Sequence, residues 1–177
     1  MRWGSVRLFR ELNLKKDFQY SEVLIYLARR ASQTGRISEA IAYQREVVEV
    51  RETAPDCTSA QWASAMSDLA SYYSQNGNYS LAIETGQKAL SLLKEKYGNS
   101  HHYYNIALAN QASFYAARGQ EGDYQMAVSL GEAAVKNLKK GTPEYASHAL
   151  VASRTHFYCR LCTLRDGNET VESGEVG

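Results

Sequence analysis

The sequence predicts an all-α fold of stacked helix–turn–helix units, and three observations carry that prediction. Laid over itself, the chain repeats at a step of about 42 residues: Ala28, Ala70 and Ala112 fall in register, as do Gly35, Gly77 and Gly119, and Leu24, Met66 and Leu108. Within each half-unit, apolar residues recur at i, i+3, i+4 and i+7 with few β-branched runs, the pattern of an amphipathic helix. Turn chemistry falls between the halves, most clearly at Asn76-Gly77-Asn78, and both prolines, Pro55 and Pro143, fall between units, where they stop a helix from running on.

The elements follow in order. Residues 1–17 carry Val6, Phe9 and Leu12 on one helical stripe, which predicts a short helix capping the first repeat. Its basic residues Arg2, Arg7, Arg10, Lys15 and Lys16 are partly balanced by Glu11 and Asp17; a membrane or nucleic-acid contact is the competing reading. Residues 18–164 form the repeat domain. Second halves align as Ile37, Ala40, Ile41, Val47, Val48 with Tyr79, Ala82, Ile83, Ala89, Leu90. An extra Gln120-Glu121-Gly122 shifts the third copy to Tyr124, Ala127, Val128, Ala134, Val135. Arg29 and Arg30 are expected to interrupt the first helix. A fourth copy opens with Val151 and Tyr158 and has no clear second helix, giving three and a half units. That unpaired helix either closes the array, with Leu161 and Leu164 turned inward, or buries its face in a larger protein, a partner or a second copy. Residues 165–177 are polar, acidic and rich in Gly and Glu, which predicts a disordered tail or linker.

The small residues at Ala70, Gly77, Ala82, Gly86 and Ala89 have a packing reason. Where helices cross, small side chains let backbones approach while Leu, Tyr and Ile fill the flanks. Gly86 and Gly131 share one repeat position despite a helix cost of roughly 1 kcal/mol each against Ala, so close contact is expected there.

Composition bounds the function. With 177 residues, 44% of them apolar, the chain can bury one core. A formal net charge of +1 gives no bulk attraction to nucleic acid or anionic membrane, and neither is expected as a partner. No apolar run reaches the roughly eighteen residues of a membrane span, and the first residues lack a secretory pattern, so a cytoplasmic location is expected. Three cysteines are too few and too odd for a disulfide framework. Asn78-Tyr79-Ser80 and Asn168-Glu169-Thr170 fit the glycosylation pattern but carry little weight without a secretory signal.

The residues Met66, Leu69, Ala70, Tyr73, Gly77, Tyr79, Ala82 and Ala89 resemble the tetratricopeptide repeat, and the long period and the joint YGNSHHYY resemble its kinesin-light-chain type, common in bacteria. Gly98 and His101 match that joint, while His102 stands where the family has Pro. The resemblance covers about residues 18 to 160. It implies a right-handed α-solenoid whose first helices line a concave, peptide-binding groove. Carried over position by position, the groove residues are Arg29 and Gln33, then Asp68, Ser71 and Gln75, then Asn110 and Ser113, then His156; Tyr26, Glu22, Ser64, Ser67 and Ser153 are further inner positions. An Asn side chain both donates and accepts, so it can pair with an extended backbone of any sequence. The Lys/Arg set of chaperone-binding relatives is missing, since Arg29 alone does not supply it.

No catalytic residue, cofactor or metal ligand is expected. Cys159 and Cys162, with His148 and His156 nearby, fall on one predicted helix, where 3.6 residues per turn prevents tetrahedral convergence on one ion. No Gly-rich phosphate loop remains once the turn and packing glycines are assigned. The sequence therefore predicts a non-catalytic scaffold for a protein or peptide partner, with self-association through the C-terminal helix as a further possibility. The alternative is a regulatory arm of a larger signalling protein bearing a caspase-like protease or kinase domain, as the bacterial resemblance suggests.

Overall fold

The computed structural model of the chain describes residues 17–136. The N-terminal stripe, Pro143, the fourth copy, His156, the Cys159/Cys162 pair, the tail and any contact through a C-terminal helix lie outside the described residues. Six helices run in order: α1 (Phe18–Gln33), α2 (Ile37–Thr53), α3 (Ser59–Gln75), α4 (Tyr79–Tyr97), α5 (His102–Arg118) and α6 (Asp123–Lys136). Among the described residues there is no strand.

Each first helix is started by a side-chain cap. Asp17 accepts from the Gln19 N–H at 2.7 Å, and Thr58 and Gln61 form a reciprocal capping box. His101 Nδ1 accepts from Tyr103 at 3.3 Å, and its ring stacks on Tyr97 at 4.7 Å, so the joint residues cap α5 and tie it to the end of α4. The intra-unit turns use Gly35, Gly77 and Gly119 at φ of 77°, 79° and 65°, a region that a side chain would strain. Arg29 and Arg30 do not interrupt α1. Both side chains point to solvent, and Arg is a good helix former, so the helix runs through them.

Each helix packs on the next, and α3 also packs on α5, so units stack side by side as an α-solenoid. The repeated small positions lie inside it: Ala28, Ala70 and Ala112, Ala40, Ala82 and Ala127, and Ala89 and Ala134 are all fully buried. The larger core side chains, Tyr20, Leu24, Val47, Met66, Leu90, Leu93 and Leu108 among them, fill the spaces between.

Polar residues also stand at core positions, and they differ from copy to copy. Gln44 of α2 is buried and donates from Nε2 to the Ala65 carbonyl of α3 at 3.0 Å. At the equivalent position of the next unit stands Gly86, and there Gln111 of α5 reaches back and donates to the Ile83 carbonyl of α4 at 2.9 Å. Among the described residues, each of the two inter-unit interfaces is thus bridged by one buried glutamine, from opposite sides.

The added loop before α6 is closed by charge. Asp123 is buried, accepts from Arg118 at 2.7 and 2.8 Å, and accepts from the Gln120 N–H at 2.9 Å. The Arg118 bonds hold its carboxyl below the usual range, against the opposing effect of burial. The folded state therefore takes up this proton less readily than the unfolded one. The stability it contributes is full above the unfolded value of about 3.9 and is lost as pH falls through the lower folded value. Asp123→Asn is expected to cost about 2 kcal/mol at neutral pH, with the difference from wild type shrinking in acid, as read by thermal melts across pH.

Candidate functional site

The first helices α1, α3 and α5 carry seven of the eight residues singled out from sequence, and their equivalent repeat positions, Arg29 with Ser71 and Ser113, Gln33 with Gln75, and Asp68 with Asn110, define a first-helix face. Ser32 of α1 donates to Gln75 Oε1 of α3 at 3.0 Å, which ties the C-terminal ends of those two helices. Arg29, Gln33, Asp68, Gln75 and Ser113 are exposed, and Ser71 and Asn110 are half-buried. His156 lies outside the described residues. Gln33 accepts from Arg30 at 3.5 Å. The hydroxyls of Ser71 and Ser113 donate back along their own helices, to Ser67 at 3.0 Å and Ala109 at 3.1 Å. Their donors are spent there, and only acceptor lone pairs remain for another molecule.

Asp68 is unusual on this face. It is exposed, yet protein crowds it closely enough that loss of water pushes its carboxyl upward, with Arg29 and then Arg51 pulling the other way. Tyr72, one turn along α3, is half-buried; desolvation, helped by the Asp68 charge, raises its phenol. Sequence reasoning missed Tyr72. Its spacing of four from Asp68 was the available signal, since such residues share a helix face.

A carboxylate raised in the folded state destabilises the fold while it is charged. That cost is present at neutral pH and disappears as pH falls below the unfolded value of about 3.9. Asp68→Asn is therefore expected to leave stability unchanged or raise it by up to about 0.5 kcal/mol at pH 7, with the gain gone in acid. Loss of stability on this substitution would show that Asp68 serves the fold.

Other chemistry is sparse. Cys57 is free and half-buried, and burial raises its thiol, with Arg51 opposing, so it is a poor nucleophile. Among the described residues no group of three or more His, Cys, Asp or Glu side chains could hold a metal ion. None of the described helices is long and apolar enough to cross a membrane.

Comparison with known proteins agrees with this geometry. The family profile of the tetratricopeptide repeat matches residues 22–54 and 62–103. No curated protein matches the chain. Among solved structures, BtubC (BKLC) from P. vanneervenii is similar at 15% identity and a TM-score of 0.66, over 80% of this chain and 57% of that one. The chain thus spans little more than half the length of that neighbour. The nearly identical TPR-like repeats described for a kinesin light chain of Podosopora anserina are similar at 19% identity and a TM-score of 0.73, over 90% of this chain and 76% of theirs. A point variant of those repeats gives a TM-score of 0.75 at the same identity and coverage. At these identities the likeness is one of fold. Residues 22–54 and 62–103 are therefore similar to tetratricopeptide repeats, and the chain has the α-solenoid fold of kinesin-light-chain-like repeat arrays.

Proposed function

We propose that the chain is a cytoplasmic protein-interaction scaffold whose first-helix face, formed by α1, α3 and α5, receives an extended segment of a partner. Tetratricopeptide repeats generally mediate protein–protein contacts and are scaffolds in kind rather than catalytic folds. The observation that carries the reading is the face itself. Its three helices are joined by the Ser32–Gln75 bond and by the packing of α3 on α5, and they carry polar groups with open bonding capacity, Asn110, Asp68 and the serine oxygens, beside a fully buried small-residue core. A preformed surface lowers the ordering cost of binding. The sparse, odd cysteine count and the free Cys57 suit a reducing compartment.

The test is affinity capture from a lysate with wild type and with an Asn110→Ala, Asp68→Ala double variant. A hydrogen bond contributes about 1 kcal/mol net and one to a charged group more, so the double change is expected to weaken capture of groove partners at least tenfold. Unchanged capture of every partner moves the binding site off this face.

A further inference from the structure

Between α4 and α5 lies a trough of about 520 Å³, lined by Ile83, Glu84, Gln87, Lys88 and Ser91 of α4 and by Tyr115 of α5. Tyr115 follows Ser113 by two residues, about 200° around α5, so the trough and the first-helix face use opposite sides of that helix. From Ile83 to Ser91 the lined stretch of α4 is about 12 Å long. Its rim carries no net charge: Glu84 and Lys88 are the two charged lining residues, and they pair with each other at 2.8 Å. The Arg118 guanidinium that lies over the Tyr115 ring is held by Asp123 at 2.7 Å. A charged guest therefore finds no unpaired opposite charge there.

Free hydrogen-bonding capacity in the trough is small. The Ser91 hydroxyl donates to the Gln87 carbonyl at 3.0 Å, which leaves the Gln87 amide and the Tyr115 hydroxyl as the uncommitted polar groups among the described lining residues. An extended segment would bring an N–H and a C=O at every residue with too few partners to meet them, whereas a helix satisfies its backbone internally. Exposed apolar side chains flank the same place. Leu81 shares a stripe of α4 with Glu84, Lys88 and Ser91 and is 45% exposed. Its equivalent on the next second helix, Met126 of α6, is 47% exposed. On α2 the equivalent is Glu39, paired with Arg36 at 3.1 Å. The position is thus apolar on the two second helices on either side of α5 in the chain, and charged on the one farther away.

We propose that this trough docks an amphipathic helix of a partner protein, with its apolar stripe on Ile83, Tyr115 and Leu81 and its charged residues turned away. It is a second interaction surface, independent of the first-helix groove. Residues i, i+3 or i+4 and i+7 of such a helix span about 10 Å, which matches the lined length of α4.

The probe is a displayed library on a stable single-helix scaffold, randomised at i, i+3, i+4, i+7 and i+11 and selected on the full chain. Selected helices are expected to carry Leu, Ile, Met or Phe at i, at i+3 or i+4, and at i+7. Their affinity is expected to fall about tenfold or more on Ser91→Glu and on Leu81→Lys, and to be unchanged on Asn110→Ala combined with Asp68→Ala. The two blocking changes have opposite charge, so loss on both reads as lost apolar contact. Both positions are exposed, and circular dichroism melts of the variants are expected to match wild type. Helices without an apolar stripe, helices indifferent to both blocking changes, or no selected helix at all overturn the proposal. Helices weakened only by the Asn110, Asp68 double change also overturn it and leave the first-helix groove standing. A dimer in sedimentation that Ser91→Glu dissociates would put a second copy of the chain in the trough, and overturns it too.

Discussion

Gly86→Gln is expected to destabilise the protein by 3 kcal/mol or more on an order-of-magnitude estimate, and Gly86→Gln combined with Gln111→Leu to recover most of that loss. A β-carbon built on Gly86 would lie 2.2 Å from Gln111 Oε1 and 3.4 Å from both Gln111 Cδ and Phe114 Cε2. Gln111 is fully buried, so its amide cannot swing into solvent; it must give up its bond to the Ile83 carbonyl. Even Gly86→Ala, which gains roughly 1 kcal/mol of helix propensity, is expected to lose about 2 kcal/mol net. The double change copies the preceding interface, where Gln44 stands at the position of Gly86, Leu69 at the position of Gln111, and the amide bonds the carbonyl of Ala65. The Ala107 carbonyl is the equivalent acceptor for a glutamine at 86. A coupling of 2 kcal/mol or more between the two sites, read as a double-mutant cycle by thermal melts at 222 nm, is the expected result. Additive losses would mean that the two glutamine bridges are not interchangeable solutions of one interface.

Arg51→Ala is expected to cost about 2–4 kcal/mol, and Arg51→Lys to recover only part of it. This guanidinium is buried at the end of α2 and holds three helices together. It donates to Ser21 of α1 at 3.2 Å and to the Gln61 carbonyl of α3 at 3.0 Å, pairs with Glu22, and lies over the Phe18 ring at 5.1 Å. Truncation removes both bonds across the helices, although the Ser21 hydroxyl keeps its bond to the Phe18 carbonyl at 2.7 Å, and leaves a cavity against Phe18. Glu22 is half-exposed, so the ion pair itself carries the smaller share. A lysine ammonium cannot span these acceptors in the plane of the fork. Wild-type melting of Arg51→Lys would show that charge, and not the planar bridge, is what the site needs.

The repeat comparison made much of this fold readable, because the helix period and the turn glycines are local properties of the chain. The repeats also carry a signal for the polar core. Arg51 aligns with Leu93, Gln44 with Gly86, and Gln111 with Leu27 and Leu69, so each polar residue sits where a sister unit has an apolar or absent side chain. Arg29 and Arg30 act in the opposite direction: their charge in mid-helix predicts a break, whereas on an exposed face it costs the helix almost nothing. The candidate site was legible as positions only. That Ser71 and Ser113 bond their own backbone, or that Gln75 is held by Ser32, depends on rotamers and neighbours that sequence spacing does not fix.

The sequence alone determined the unit, its length, its two helices and the rows of alanine and glycine along which units meet, since periodicity and turn chemistry act within a few residues of chain. Only the tertiary structure decided which polar side chains are buried, which carbonyl each one reaches across an interface, and how Asp68 can be exposed and still short of water. Those outcomes are set by helices that lie side by side from distant parts of the chain, where crowding and hydrogen-bond partners come from neighbours in space.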